Sequence, residues 1–204
     1  MFIDRQEAGK KLAIALAEYK RERCLVLALP RGGVPVGFEI AQVFGCPLDT
    51  IVARKIGTPE NPEFALGALA PGNIVLLDVP REGLEEIIWE EEQEMKRRME
   101  KYKSGSYSEG AKPDVVIIVD DGVATGQTAR AGLLSARASY PSAKLIFAAP
   151  VGSPDSISEL WKYADNVVCL EMPPNFSAVG EWYEHFDQTT DDEVIEYLEK
   201  AARF

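Results

Sequence analysis

Short continuous apolar runs alternate along this chain with stretches whose apolar residues recur at helical spacing. Cys24–Leu29 (CLVLAL), Leu48–Ala53, Val115–Val119 (VVIIV), Lys144–Pro150 and Val167–Leu170 are the runs. Each has the length and β-branched content of a strand covered on both faces. Between them lie predicted helices. Asp4 and Glu7 form a capping box for the first, which carries Leu12, Leu16 and Tyr19 as its apolar stripe. A second runs from about Gly33 to Phe44 and is stopped by Gly45. Leu84–Lys103 is acidic in its first half and basic in its second, which suits the helix macrodipole. Its pairs Glu92–Lys96 and Glu94–Arg98 stand at i, i+4 spacing. Further helices are predicted from Gln127 to Pro141, after the capping pair Ser153–Pro154, and over Asp191–Ala202.

Three segments break this rhythm. Ile56–Ala70 holds two glycines and two prolines and reads as a functional loop leading into a hairpin, with Asn73–Asp78 as the returning strand. Ser104–Gly110 is a polar linker, and Pro173–Asp187 is irregular and aromatic. The alternation predicts an α/β domain around a central, mostly parallel sheet flanked by helices, with the hairpin as an antiparallel edge. Ligands of such sheets sit at the carboxyl ends of the strands. Three loops with unusual chemistry follow strands, Pro30–Pro35, Arg54–Gly67 and Asp120–Thr128, and are expected to converge there.

The 204 residues suffice for one domain with a full core and a small attached subdomain. A net charge of −11 argues against broad nucleic-acid binding. The three cysteines, Cys24, Cys46 and Cys169, are odd in number and far apart, which fits a reducing compartment rather than a disulfide framework or a zinc site. No stretch is apolar for long enough to span a membrane, and Met1–Lys11 lacks the apolar centre of a signal peptide. A soluble, cytoplasmic protein is expected.

The most informative stretch is Val115–Arg130, VVIIVDDGVATGQTAR. A buried strand ends in Asp120 and Asp121, turns through Gly122, and enters a helix by way of Ala124, Thr125, Gly126, Gln127 and Thr128. Consecutive N–H groups at a helix start bind phosphate, and the carboxylates bind hydroxyls. A phosphorylated sugar is the ligand that uses both. An ordinary strand-to-helix turn in which an acid caps the helix would use neither. A Walker-type nucleotide loop is disfavoured, because no Gly-Lys-Ser/Thr follows the glycines, and a dinucleotide fingerprint is absent.

VVIIVDDGVATGQT resembles the phosphoribosyl-pyrophosphate (PRPP) signature of the type I phosphoribosyltransferases. The resemblance implies a Rossmann-like fold in which Asp120 and Asp121 bind the ribose hydroxyls. The loop from Gly122, with Ala124, Thr125, Gly126, Gln127 and Thr128, would hold the 5′-phosphate. LPRGGVPV, Leu29–Val36, resembles the family's pyrophosphate loop, with Arg31 as the cation, Gly32 and Gly33 as amide donors, and a cis peptide between Pro30 and Arg31. Arg54–Lys55, ahead of a long loop, resembles the flexible catalytic loop, with Lys55 or Arg54 reaching the pyrophosphate. RKIG, the segment Asn61–Ala68, the inserted helix and NFSAVGEWYEHF together resemble a poorly characterised phosphoribosyltransferase-like subgroup over nearly the whole chain.

That family covers its acceptor base with a variable hood, which the resemblance places in residues 80–112 and 171–204, where Phe176, Trp182 and Tyr183 are the candidates to stack on a base. The same aromatics suit the core of a small cap. His185, the single histidine, and the acidic run Glu85–Glu94 read as surface features. No general base stands out, although Glu63 and Glu181 are available. The implied reaction displaces pyrophosphate from C1 of the ribose by a nucleobase-like acceptor, with Mg²⁺ carried on the substrate rather than on protein ligands. The family also admits a homodimer. Two alternatives share the same site: a regulator that binds PRPP without transferring it, and an enzyme with a non-purine acceptor.

Overall fold

The computed structural model describes residues 1–57, 65–72, 74–80, 82–103 and 112–204. Five strands form the central sheet: β1 (Cys24–Ala28), β2 (Leu48–Thr50), β6 (Val115–Val119), β7 (Lys144–Val151) and β8 (Asn166–Glu171). Their order is β2-β1-β6-β7-β8 and every pairing is parallel. β1 and β6 lie side by side, with Ala28 opposite Val119, so the two loops that follow them leave the sheet together.

Side chains of these strands alternate between two cores. Val26, Ala28, Ile117, Val119, Ile146 and Ala148 face one way and Leu25, Leu27, Val116, Ile118, Leu145 and Phe147 the other. The first set is covered by α1 (Arg5–Ala15), α2 (Gly33–Phe44) and α6 (Asp191–Ala201), the second by α4 (Gln127–Ser139) and α5 (Pro154–Leu160). Burial on both faces is why these strands read as unbroken apolar runs.

The helix ends follow local rules. Asp4 accepts from the Glu7 N–H at 2.7 Å, while Glu7 reaches the Ile3 N–H at 2.8 Å, one residue before the cap. Gly45 ends α2 in the left-handed region, with φ 63°. Thr190 and Glu193 make a full capping box at the start of α6.

The hairpin is not an edge of the central sheet. Strands β3 (Arg54–Gly57), β4 (Ala65–Ala70) and β5 (Ile74–Leu77) form a separate antiparallel sheet of three. The run expected as one strand from Leu48 to Ala53 stops at Thr50, and Arg54 and Lys55 open β3 rather than close β2. The small sheet lies between two helices. Ile56 and Leu69 share a core with Ile88 and Met95 of α3 (Glu85–Tyr102), whereas Ala68 and Ala70 share one with Ala129, Leu133 and Ala136 of α4. A sheet with both faces covered has its own folding rationale and need not extend the larger one. The expected linker Ser104–Gly110 and the segment Asn61–Phe64, Glu63 included, lie outside the described residues.

Candidate active site

Two loops meet at the carboxyl ends of β1 and β6. The first holds Arg31, Gly32 and Gly33, and the peptide between Pro30 and Arg31 is cis, as the resemblance implied. The second holds Asp120 and Asp121. A β-carbon on Gly32 would stand 2.0 Å from Asp121 Oδ2, and one on Gly33 would stand 2.6 Å from the Val119 carbonyl oxygen. Both are far inside contact distance, so only glycine lets the first loop lie against the acids. Between the loops opens a cleft of about 460 Å³, lined by Arg5, Arg31, Gly32, Arg54, Arg98, Asp121, Phe186, Gln188 and Thr189.

The acidic wall is partly desolvated. Burial, followed by the neighbouring charge of Asp121, holds the Asp120 carboxyl well above the usual carboxylate range. Asp120 Oδ1 accepts from the Asp121 N–H at 2.9 Å. Asp121 is bound more tightly: its Oδ2 accepts from Arg5 Nε at 2.7 Å, and its carbonyl accepts from the Tyr183 hydroxyl at 2.6 Å.

The loop beyond the acids is fixed from behind. Val123 forms a parallel bridge with Gly152, and the Ser156 hydroxyl donates to the Ala124 carbonyl at 2.6 Å. Gly126 caps α4 in the left-handed region, with φ 74°. Ala124 and Thr125 are exposed, Gln127 and Thr128 half-buried, and the first turn of α4 carries no acid. A concave run of N–H groups at a helix start without a carboxylate is suited to an anion. The Gln127 side-chain amide donates to Asp78, at the end of β5, which also meets Arg130 at 3.3 Å. Gln127 therefore offers the loop its backbone N–H.

The basic wall is assembled from separate elements, and each of its arginines has a carboxylate. Arg31 lies 3.5 Å from Asp191 and Arg54 2.6 Å from Glu91, while Arg98 lies 2.7 Å from Glu94. Arg54 and Lys55 do not share a face. Arg54 stands opposite Leu69 and turns toward α3 and the cleft, whereas Lys55 stands opposite Ala68, on the α4 side. Asp191 is a junction, bonded by the Tyr102 hydroxyl at 2.5 Å and by Lys101 at 3.2 Å and Arg97 at 3.3 Å. The Tyr102 hydroxyl first, then Lys101 and Arg97, hold its carboxyl well below the usual range. Arg97 and then Arg98 hold the Glu94 carboxyl down to about 2.

Phe176, Trp182 and Tyr183 pack with Phe2 in a small cluster of their own, Tyr183 almost fully buried. The aromatic side chain that lines the cleft is Phe186, which stacks on Tyr183 with ring centroids 5.1 Å apart. His185 lines a neighbouring cavity of about 280 Å³. Burial pushes the Cys24 thiol up to about 11 and the Cys46 and Cys169 thiols up to about 12, so none is poised as a nucleophile. Arg5 and Arg98 were not foreseeable as cleft residues. They lie on helices remote in sequence from all three loops, and the i, i+4 pairing of Arg98 with Glu94 marks a helix pair rather than a cleft.

A sequence model of the phosphoribosyl transferase domain matches residues 3–185. The chain belongs to the phosphoribosyl transferase family. Among relatives of that family is a Mycobacterium tuberculosis protein named "Putative phosphoribosyl transferase Rv0571c", which is 41% identical over 211 residues. The match takes in all of this chain and 47% of that protein, so the chain spans about half the length of the curated relative. The crystal structure of TT1426 from Thermus thermophilus is 38% identical and superposes with a TM-score of 0.79 over 98% of both chains. AQ2163 from Aquifex aeolicus, 11% identical, shares the fold alone, with a TM-score of 0.54 over 86% of this chain and 76% of that one. Among the described residues no helix is long and apolar enough to cross a membrane.

Proposed function

We propose that the cleft binds PRPP and transfers its phosphoribosyl group to a nucleobase-like acceptor. The 5′-phosphate sits on the loop Ala124–Thr128, the ribose hydroxyls on Asp120 and Asp121, and the pyrophosphate against Arg31, the Gly32 and Gly33 amides, and Arg54. Lys55 faces α4, on the opposite side of β3 from Arg54. The observation that carries this reading is the contact of Gly32 with Asp121: a loop suited to one anion lies directly on the acids beside a loop suited to another. A ribose carrying phosphate at one end and pyrophosphate at the other spans that arrangement.

In the reaction the bond from C1 to the pyrophosphate oxygen breaks, and a bond from C1 to an acceptor nitrogen forms. Positive charge grows on the ribose ring and negative charge on the leaving group. Asp121 stabilises the first, and Arg31 and Arg54 receive the second. Holding both ends of the substrate on rigid strand ends supplies the orientation. Among the described residues no group of three or more His, Cys, Asp or Glu side chains is placed to cage a metal. With one carboxylate buried and the other taken by Arg5, the site fits Mg²⁺ as an ion held mainly by substrate oxygens and water. Bound there, it supplies positive charge to the pyrophosphate.

Titration calorimetry with PRPP and Mg²⁺ tests the reading. The unaltered chain is expected to bind, and the pair of changes Asp120→Asn and Asp121→Asn to weaken binding by at least about tenfold, because charged hydrogen bonds are lost. Equal affinity of the two proteins would remove the site assignment. Pyrophosphate release with a panel of purine, pyrimidine and non-purine bases then separates transfer from binding alone.

A further inference from the structure

The chain ahead of α1 is stitched to the segment that ends in Asp187. The Phe2 N–H donates to the Trp182 carbonyl at 2.7 Å, the Glu184 N–H to the Phe2 carbonyl at 2.8 Å, and the His185 N–H to the Ile3 carbonyl at 2.9 Å. Arg5, first residue of α1, completes the seam. Its Nη1 donates to the Asp187 carbonyl at 2.7 Å and its Nε to Asp121 Oδ2 at 2.7 Å, while its guanidinium lies 4.0 Å over the Phe186 ring. The Arg5 side chain is only 12% exposed.

A guanidinium holds its donors at fixed angles in one plane. Here one donor is tied to a carbonyl of a segment already pinned by backbone bonds, and the plane rests on an aromatic face. The remaining donor then has one direction, and that direction fixes the carboxylate it meets. We infer that Arg5 is a positioning residue for Asp121, locking its carboxylate in one orientation within the cleft through the Asp187 carbonyl and the Phe186 ring. The inference rests on the reading of Asp121 as a ribose ligand. A lysine could supply the charge but not the two-pronged geometry, so charge and positioning are separable.

The test uses the full chain with Arg5→Lys and Arg5→Gln, two probes, and one readout that needs no ligand. Ribose 5-phosphate probes the acidic wall, and inorganic pyrophosphate with Mg²⁺ probes the basic one. Arg5→Gln should weaken ribose 5-phosphate by about tenfold or more, the effect of misplacing a binding group by a fraction of an ångström. Pyrophosphate should stay within about twofold. Arg5→Lys should fall between the unaltered protein and Arg5→Gln. The Asp121 carboxyl carbon resonance, sharp in the unaltered chain, should broaden or move in Arg5→Gln without any ligand. Parallel loss of both probes, or unchanged ribose 5-phosphate affinity in Arg5→Gln, would overturn the role. Should the unaltered protein bind no ribose 5-phosphate, the PRPP reading fails. The Asp121 resonance then still decides: moved by Arg5→Gln, it upholds the positioning role, and unmoved, it overturns it.

Discussion

The acidic wall of the cleft is one continuous piece of chain, whereas the basic wall is assembled from three. Strand β6, the two aspartates, the phosphate-type loop and α4 follow each other without interruption from Val115 to Ser139. Arg31, Arg54 and Arg98 come from the loop after β1, β3 and α3. The first wall takes its geometry from backbone direction. The second needs another layer of side chains to aim it, and Asp191, Glu91 and Glu94 are that layer. The two walls should therefore fail differently. Changes in the acidic wall damage binding while sparing the fold, and changes in the supports of the basic wall cost stability.

The largest expected effect comes where the walls touch. Gly32→Ala places a carbon on the Asp121 carboxylate, so either loop must retreat. PRPP affinity should fall by about a hundredfold or more, as expected when bound groups are displaced by an ångström. Stability should fall by about 1–3 kcal/mol, the usual range for overpacking. Calorimetry and urea unfolding measure the two, and an alanine variant that keeps full affinity would show that the walls are not in contact in solution.

Next is Asp191→Asn, which removes the charge that Tyr102, Lys101, Arg97 and Arg31 share. A loss of about 2 kcal/mol is expected near neutral pH, in line with partly buried charged hydrogen bonds. The pH dependence has a definite sign. The folded state holds this carboxyl below its unfolded value, so its stabilisation is complete above the ordinary carboxylate range and is lost as pH falls through and below it. Urea midpoints of the two proteins should converge on acidification. A gap that persists or widens would mean that Asp191 acts through something other than its charge.

The smallest effect should carry the opposite sign. Asp120 is held above its unfolded value by burial and by Asp121, so its ionisation opposes folding as pH rises through and above the ordinary carboxylate range. Asp120→Asn should raise the melting temperature of the ligand-free protein at neutral pH, with the gain shrinking on acidification. It should weaken PRPP binding at the same time. Thermal unfolding across pH checks this, and a lower melting temperature at neutral pH would mean that the acidic wall is structural rather than strained for function.

The difference between the walls also explains what could be read in advance. The five central strands, the acids and the loop were legible because neighbouring residues in sequence are neighbours in space there. Gly32 was legible as a glycine of the loop after β1, but its contact with Asp121 was not, since it depends on β1 and β6 lying side by side. The small sheet was the main misreading. Leu48–Ala53 looked like one strand because Ile51, Val52 and Ala53 are apolar, yet all three are buried outside the strand that pairs with β1. Phe176 and Trp182 were legible as anchors or as stacking groups. Packing assigned them to a cluster with Phe2, leaving Phe186 in the cleft.

By itself the sequence determined the family, the parallel order of strand and helix, and the succession of strand, acids, loop and helix that makes the acidic wall. These rest on local rules: period, capping, and a strand that turns into a helix through glycine. Tertiary structure alone decided which arginines share the cleft, that Arg54 and Lys55 point apart, and that Arg5 reaches Asp121 across 116 residues of chain. Such contacts are set by how helices pack on a twisted sheet, and a charged residue on an exposed helix looks the same in sequence whether its partner is solvent or a site.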